Sequence, residues 1–199
     1  MPKRGSPFLR FRVDLRKGEQ FTPSFRAINP DCTVPALELD NGTIIPDAIA
    51  ICRCFEELYP NPPLMGRTAE EKAVIESWQR LIERDAFYAV MEAFRNSSPG
   101  LKGRALPGPD NYEQIAALSE RGRTRIQHFF ARLDAQLVDN EIVCGPRFSI
   151  ADITALITVD FSGWIKVKPI EVMTQLRRWH AAVSARPSAK ARATRDLAP

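Results

Sequence analysis

The side chains best suited to nucleophilic or metal chemistry are Cys32, Cys52, Cys54 and Cys144, with His128 and His180 as potential bases or ligands. Their spacing argues against both uses. Cys52 and Cys54 stand two apart in a helix-like run, so they point to different faces. Neither histidine has a partner at metal-ligand spacing, so no metal is expected. The cysteine pattern fits a reduced, cytoplasmic protein.

The stretch NPDCTVPALELDNGTIIPDAIA, residues 29–50, reads as turn, Val-Pro, short strand, turn, short strand and helix start. Val34-Pro35 runs directly into the strand-like Ala36–Leu39, and a proline beside a strand marks an edge or a break. Asp40-Asn41-Gly42 is a hairpin turn signal, and Thr43–Ile45 is the returning strand. From Asp47 the pattern turns helical, with Ile51, Phe55 and Leu58 at i, i+4 and i+7. Asp47 suits a helix N-cap.

Other elements must position these residues. Residues 8–15, FLRFRVDL, alternate with a period of two and predict a strand. Thr22-Pro23 opens a short helix that stops before Asn29-Pro30. Tyr59-Pro60-Asn61-Pro62-Pro63 reads as a linker, and the chain is helical beyond it. Residues 68–95 place Val74, Trp78, Leu81 and Ile82 on one stripe. Residues 96–111 read as a loop. Residues 112–138 carry Ile126, Phe129, Phe130, Leu133 and Leu137 on another stripe. Apolar helices follow at 149–165 and 172–185. Ser149 and Asp152 form a capping box at the first of these, with Phe148 and Ile153 as its hydrophobic staple. The fold class is α/β followed by all-α, with domains at 1–60 and 66–199.

Composition narrows the function. The net charge is +4, from 28 basic and 24 acidic residues. The excess lies at residues 1–17 and 177–195, without the interleaved aromatics of a nucleic-acid surface, so no nucleic-acid partner is expected. No apolar run approaches the ~18 residues of a membrane span, so no membrane is expected either. The basic N-terminus lacks the apolar region of a secretory signal.

Four stretches in this order resemble the glutathione S-transferase family: NPDCTVPALELDNGTIIPDAIAICRCFEELYP, the linker, FSIADITAL and RWHAAVSARPS. The resemblance spans about Val13 to Lys190. It implies a thioredoxin-like N-terminal domain, an all-helical C-terminal domain and a homodimer. It also implies conjugation of the glutathione thiolate to a small hydrophobic electrophile in a detoxifying role, with glutathione as co-substrate and no other cofactor. Pro35 then corresponds to the family's cis-proline, and Val34 offers its N–H and C=O to the cysteinyl part of glutathione. Asp47 receives the γ-glutamyl amino group at the helix start. Ala48 stands where the family usually has Ser.

The front of the chain departs from the family. A first strand and helix, whose first turn bears the thiolate-stabilising Tyr, Ser or Cys, do not fit before Pro35, so a truncated N-terminal domain is expected. The catalytic residue is therefore unknown. Ser6, next to Pro7, is one candidate, and Cys32 lies near the expected thiol position. The alternative is a non-catalytic glutathione S-transferase-like binding protein that has lost the activating element. Two acids fall on apolar stripes: Asp85, expected at a cleft or interface, and Asp160, expected to bond helix ends in the core. The electrophile pocket is expected around Trp78 and Arg80.

Overall fold

The computed structural model describes residues 9–190. The chain forms two compact units, 1–58 with 107–111, and 59–106 with 112–199.

The first unit is small. A 3-10 turn, Glu19–Phe21, leads into α1, Pro23–Ile28. The Thr22 hydroxyl caps α1 by accepting from the Phe25 amide, and Pro23 sits in the first turn, where its missing N–H costs nothing. β1 (Leu37–Glu38) and β2 (Ile44–Ile45) pair antiparallel, with Leu37 opposite Ile45 and Glu38 opposite Ile44. The turn between them closes as the DNG signal predicts. Leu39 N–H donates to Thr43 C=O, the Asn41 carboxamide oxygen accepts from Thr43 N–H, and Gly42 takes φ 80°. That positive φ is inexpensive only for glycine. α2 follows at Ala48–Leu58 and buries Ile51, while Leu58 at the end of the predicted stripe is exposed.

The strand predicted at 8–15 does not form among the described residues. β1 and β2 are the only strands there, and a period-two segment becomes a strand only where a neighbour completes its ladder. Leu9 and Phe11 are accordingly 69% and 88% exposed. From Asp14 the chain folds on itself: the Glu19 carboxylate accepts from Asp14 N–H at 2.6 Å, and the Asp14 carboxylate accepts from Arg16 N–H.

The second unit is helical: α3 (Ala69–Ile82), α4 (Tyr88–Ser97), α5 (Ala116–Gln136), α6 (Ile150–Ser162), α7 (Thr174–Ser184) and the short α8 (Pro187–Lys190). The helix predicted over 68–95 is thus α3 and α4 joined by a π-helical segment, Glu83–Phe87. Val74, placed on its buried stripe, is exposed. The core is made by Ile82 and Ala86, Val90 and Ala93 of α4, four α5 residues (Ile126, Phe129, Phe130, Leu133) with Leu137 just after that helix, Ala155 and Val159 of α6, and Trp179 of α7.

Two features fix this core. α4 and α5 approach closely because their facing residues are small. A Cβ added at Gly122 would stand 2.5 Å from the Ala89 carbonyl oxygen and 3.0 Å from Ala93. The second feature is the Ser149/Asp152 capping box at the start of α6. The Asp152 side chain is wholly buried and accepts four hydrogen bonds. Oδ2 receives Ser149 N–H (3.0 Å) and the Ser149 hydroxyl (3.2 Å). Oδ1 receives Val143 N–H (2.9 Å) and the Trp179 indole N–H (3.0 Å). A buried carboxylate is tolerable only when paired in this way.

Two stability outcomes follow. Gly122→Ala lowers the urea midpoint, by about 1–3 kcal/mol of unfolding free energy, because a backbone carbonyl must move. Asp152→Ala costs more, about 3 kcal/mol or above, since four buried donors lose their acceptor at once. A Trp179→Phe variant, which loses one of those donors, stays above Asp152→Ala in the same denaturation series.

Candidate functional site

The candidate site lies in the first unit, at the open end of the β1–β2 hairpin. The register pairs residues whose numbers sum alike, Leu37 with Ile45 and Glu38 with Ile44. Val34-Pro35 precedes β1 by one residue, and Asp47-Ala48 follows β2 across Pro46. All four residues are exposed. The Val34-Pro35 peptide is cis.

The approach to Val34 is built by Asn29, a residue whose role the sequence reading missed. Its side chain is buried, and Nδ2 donates to the Thr33 carbonyl (2.8 Å) and hydroxyl (3.1 Å) while Oδ1 accepts from Asp31 N–H. These bonds replace a regular ladder over 30–33 and hold Cys32 at φ 53°, a conformation that costs a non-glycine residue energy unless its surroundings enforce it. The only sequence signal was the Asn-Pro turn pair, which does not reveal that the Asn side chain points inward.

Cys32 is buried, and its thiol donates to the Pro30 carbonyl at 3.4 Å. It serves the loop and does not face solvent as a nucleophile would. Burial of the Cys52 thiol, and then the nearby Asp47 carboxylate, push the Cys52 pKa up even though the residue as a whole is exposed. A thiolate is disfavoured there. Ser6 lies outside the described residues.

Asp47 acts as the N-cap of α2. Its Oδ1 accepts from Ala50 N–H at 2.8 Å, and its carbonyl accepts from Ile51 N–H. The second carboxylate oxygen makes no hydrogen bond among the described residues. The first-turn amides that have no partner within the helix begin at Ala48. The segments flanking the hairpin therefore offer an exposed backbone at Val34, a carboxylate oxygen at Asp47 and helix-start amides at Ala48.

The other sequence candidates are placed in the second unit. Asp85 is held by Arg84 of the same π-helical segment, through bonds of 2.8 and 2.9 Å, and the Arg84 guanidinium lowers its pKa. Asp160, expected to bond helix ends, has its Oδ1 2.8 Å from His180 Nε2 of α7. Trp78 lies under the Arg132 guanidinium, and Arg80 pairs with Glu76 and Glu83. A largely apolar cleft of about 160 Å³ opens along α3 beside Val74, Ile75, Pro146 and Phe148, and neither Trp78 nor Arg80 lines it. Among the described residues no group of three His, Cys, Asp or Glu side chains could hold a metal, and no helix is long and apolar enough to cross a membrane.

Comparison with known proteins agrees with this architecture. The profile of the glutathione S-transferase N-terminal domain matches residues 4–58, and that of the glutathione S-transferase C-terminal domain matches residues 79–187. Glutathione S-transferase 2 of Saccharomyces cerevisiae is 34% identical over 180 residues, covering 90% of this chain and 75% of the relative. The crystal structure of Gtt2 from Saccharomyces cerevisiae superposes with a TM-score of 0.81 at 34% identity, over 90% of this chain and 84% of that one. A glutathione S-transferase domain-containing protein of Marinobacter aquaeolei gives a TM-score of 0.81 at 35% identity, over 88% of this chain and 83% of the other. The chain belongs to the glutathione S-transferase family, and its fold is the one shared by these proteins: a small N-terminal sheet with helices, then an all-helical domain.

The thiols give a check on this site. Burial raises the Cys144 pKa, and the Asp152 charge adds to the effect against the Ser149 hydroxyl. In the folded protein at neutral pH, Cys32 and Cys144 should resist an aromatic disulfide reagent. Both should react once urea unfolds the chain, and mass spectrometry of labelled peptides identifies them.

Proposed function

We propose that this chain binds glutathione along Val34-Pro35 and Asp47-Ala48, and that it acts as a transferase delivering the glutathione thiolate to a small hydrophobic electrophile. The supporting observation is the Asp47 cap, which holds the exposed start of α2 directly after the hairpin with one carboxylate oxygen uncommitted among the described residues. The Val34 N–H and C=O pair with the cysteinyl backbone as an added strand would. The γ-glutamyl carboxylate meets the α2 amides, favoured by the positive end of the helix dipole, and Asp47 Oδ2 accepts from the γ-glutamyl ammonium. The electrophile is attacked at carbon by the thiolate, whose formation requires a lowered thiol pKa. Neither Cys32, which is buried, nor Cys52, whose pKa is raised, supplies that effect.

That last observation favours a second reading, a family member that binds glutathione without conjugating it. Turnover of an aryl halide separates the two: glutathione consumption above the uncatalysed rate supports the transferase, and binding without consumption supports the binder. The proposal further includes a homodimer and a cytoplasmic location, carried over from the family. A particle of 22.4 kDa on sizing would contradict the homodimer.

Calorimetric titration of glutathione tests the site itself. Asp47→Ser keeps a cap oxygen but removes the charge, and should weaken binding about tenfold, the worth of a charge-assisted hydrogen bond. Ala48→Ser adds a hydroxyl at the first helical position and should tighten binding about fivefold, one neutral hydrogen bond. Unchanged affinity in both variants would remove glutathione from this edge.

A further inference from the structure

A cavity of about 340 Å³ opens at the C-terminal end of α6, lined by Val159, Asp160, Gly163, Lys168, Arg177 and His180, with Pro169 at its edge. It lies wholly in the helical unit and shares no residue with the hairpin edge. Arg177 and His180 stand three apart on α7, so they share one face. Lys168 arrives from the turn after α6. Neither the Lys168 nor the Arg177 side chain is in an ion pair or hydrogen bond within the described residues, and both are exposed. His180 is oriented by Asp160, whose Oδ1 lies 2.8 Å from Nε2. A carboxylate only accepts, so the Nε2 proton points at Asp160 and Nδ1 is the ring atom left for a ligand.

Cations near a helix C-terminus ordinarily answer its unpaired carbonyls and negative dipole end. Here that need is already met. Val159 C=O accepts the Ser162 hydroxyl, and the Asp160 and Phe161 carbonyls accept Gly163 N–H. Ser162 C=O accepts Val167 N–H, and Gly163 C=O accepts Lys166 N–H. The cations are therefore not engaged as caps.

The turn that delivers Lys168 is itself held in a costly shape. Lys166 takes φ 59°. The buried Ser162 hydroxyl donates to Val167 C=O, and Arg123 donates to Ile165 C=O. Non-glycine residues persist in this conformation only where the surroundings enforce it, and such places concentrate at functional sites. At Gly163 an added Cβ would meet nothing within 4 Å, so the floor of the cavity is open.

We propose that this cavity is a binding site for a small phosphorylated solute. Arg177 and Lys168 pair with phosphate oxygens, and His180 Nδ1, on the same face of α7, accepts from a phosphate hydroxyl. The volume is at the lower end of the range for small-molecule pockets.

Inorganic phosphate, titrated into the full chain at constant ionic strength and followed by calorimetry and phosphorus NMR, tests this. Saturable binding in about the millimolar range is expected. Arg177→Gln and Lys168→Gln should each weaken it about tenfold, with the thermal midpoint unchanged because both side chains are exposed and unpaired. Glutathione at saturation should leave phosphate binding intact. Absence of saturable binding in the unsubstituted protein would overturn the proposal, whatever the variants do. So would full binding by both folded variants, or displacement of phosphate by glutathione.

Discussion

The helical unit depends on one buried carboxylate. α6 buries Ile150, Ala151, Asp152, Ala155, Leu156, Thr158, Val159 and Ser162, and its less buried face still carries the apolar Ile153, Ile157 and Phe161. Hydrophobicity alone therefore does little to set where such a helix starts or how it is turned. Asp152 supplies both. Its four bonds tie the first turn of α6 to Val143 and to Trp179 of α7. Ile150 N–H adds a tie to Leu64 C=O in the linker. Hydrophobic burial drives the unit together, but it is nearly indifferent to register. The polar end of α6 selects one register.

The close α4–α5 pair works differently. Small residues let the backbones approach, so the contact is specified by what is absent at Gly122, Ala89 and Ala93. The ends of this pair are then closed by polar side chains. Asn96 Oδ1 accepts from Ile115 N–H, just before α5, and Gln114 donates to the Arg95 and Ser98 carbonyls. Arg95 in turn donates to the Arg104 and Leu106 carbonyls, and its burial lowers its pKa. A long connection rich in Gly and Pro is thereby given one shape. Residues 107–111, which it presents, group with the first unit, and Gly108 packs near the Asp31 carbonyl there.

What was legible in the sequence was local. The Asn-Gly turn, the Thr22 cap, the α5 stripe and the Ser149/Asp152 box each need only a few neighbouring residues, and each stands where the pattern put it. What was not legible needed a partner from afar. The alternation at 8–15 is a real strand pattern, but a strand is a property of two segments. Val74 and Leu58 satisfy a helical period, yet the face they lie on is decided by what packs against it. Asp160 was read as a buried acid seeking helix ends, and nothing in its neighbours announces the imidazole twenty residues on that it meets. Asn29 looked like a turn residue, and nothing in its neighbours shows that its carboxamide organises the loop before Val34. At the candidate site, Val34, Pro35, Asp47 and Ala48 were named by the family resemblance and not by any local pattern, and only the hairpin between them is fixed by its own turn.

The same reasoning explains why so plain a set of residues can form a peptide site. Three of the groups invoked, the Val34 N–H, the Val34 C=O and the α2 amides, are main-chain atoms, so side-chain identity matters little to them. What matters is that the hairpin end be held rigid. Gly42 closes one end of the hairpin, Asn29 and Cys32 shape the chain entering the other, and the Asp47 cap fixes where α2 begins. Asp47 alone has two tasks, since one oxygen holds Ala50 N–H while the other stays open to a ligand ammonium. A longer Glu at that position would reach further toward a ligand but would cap the helix less well. In the proposed site the shorter acid would trade reach for a better-defined helix start, and with alanine at 48 the proposed recognition would rest still more heavily on the backbone.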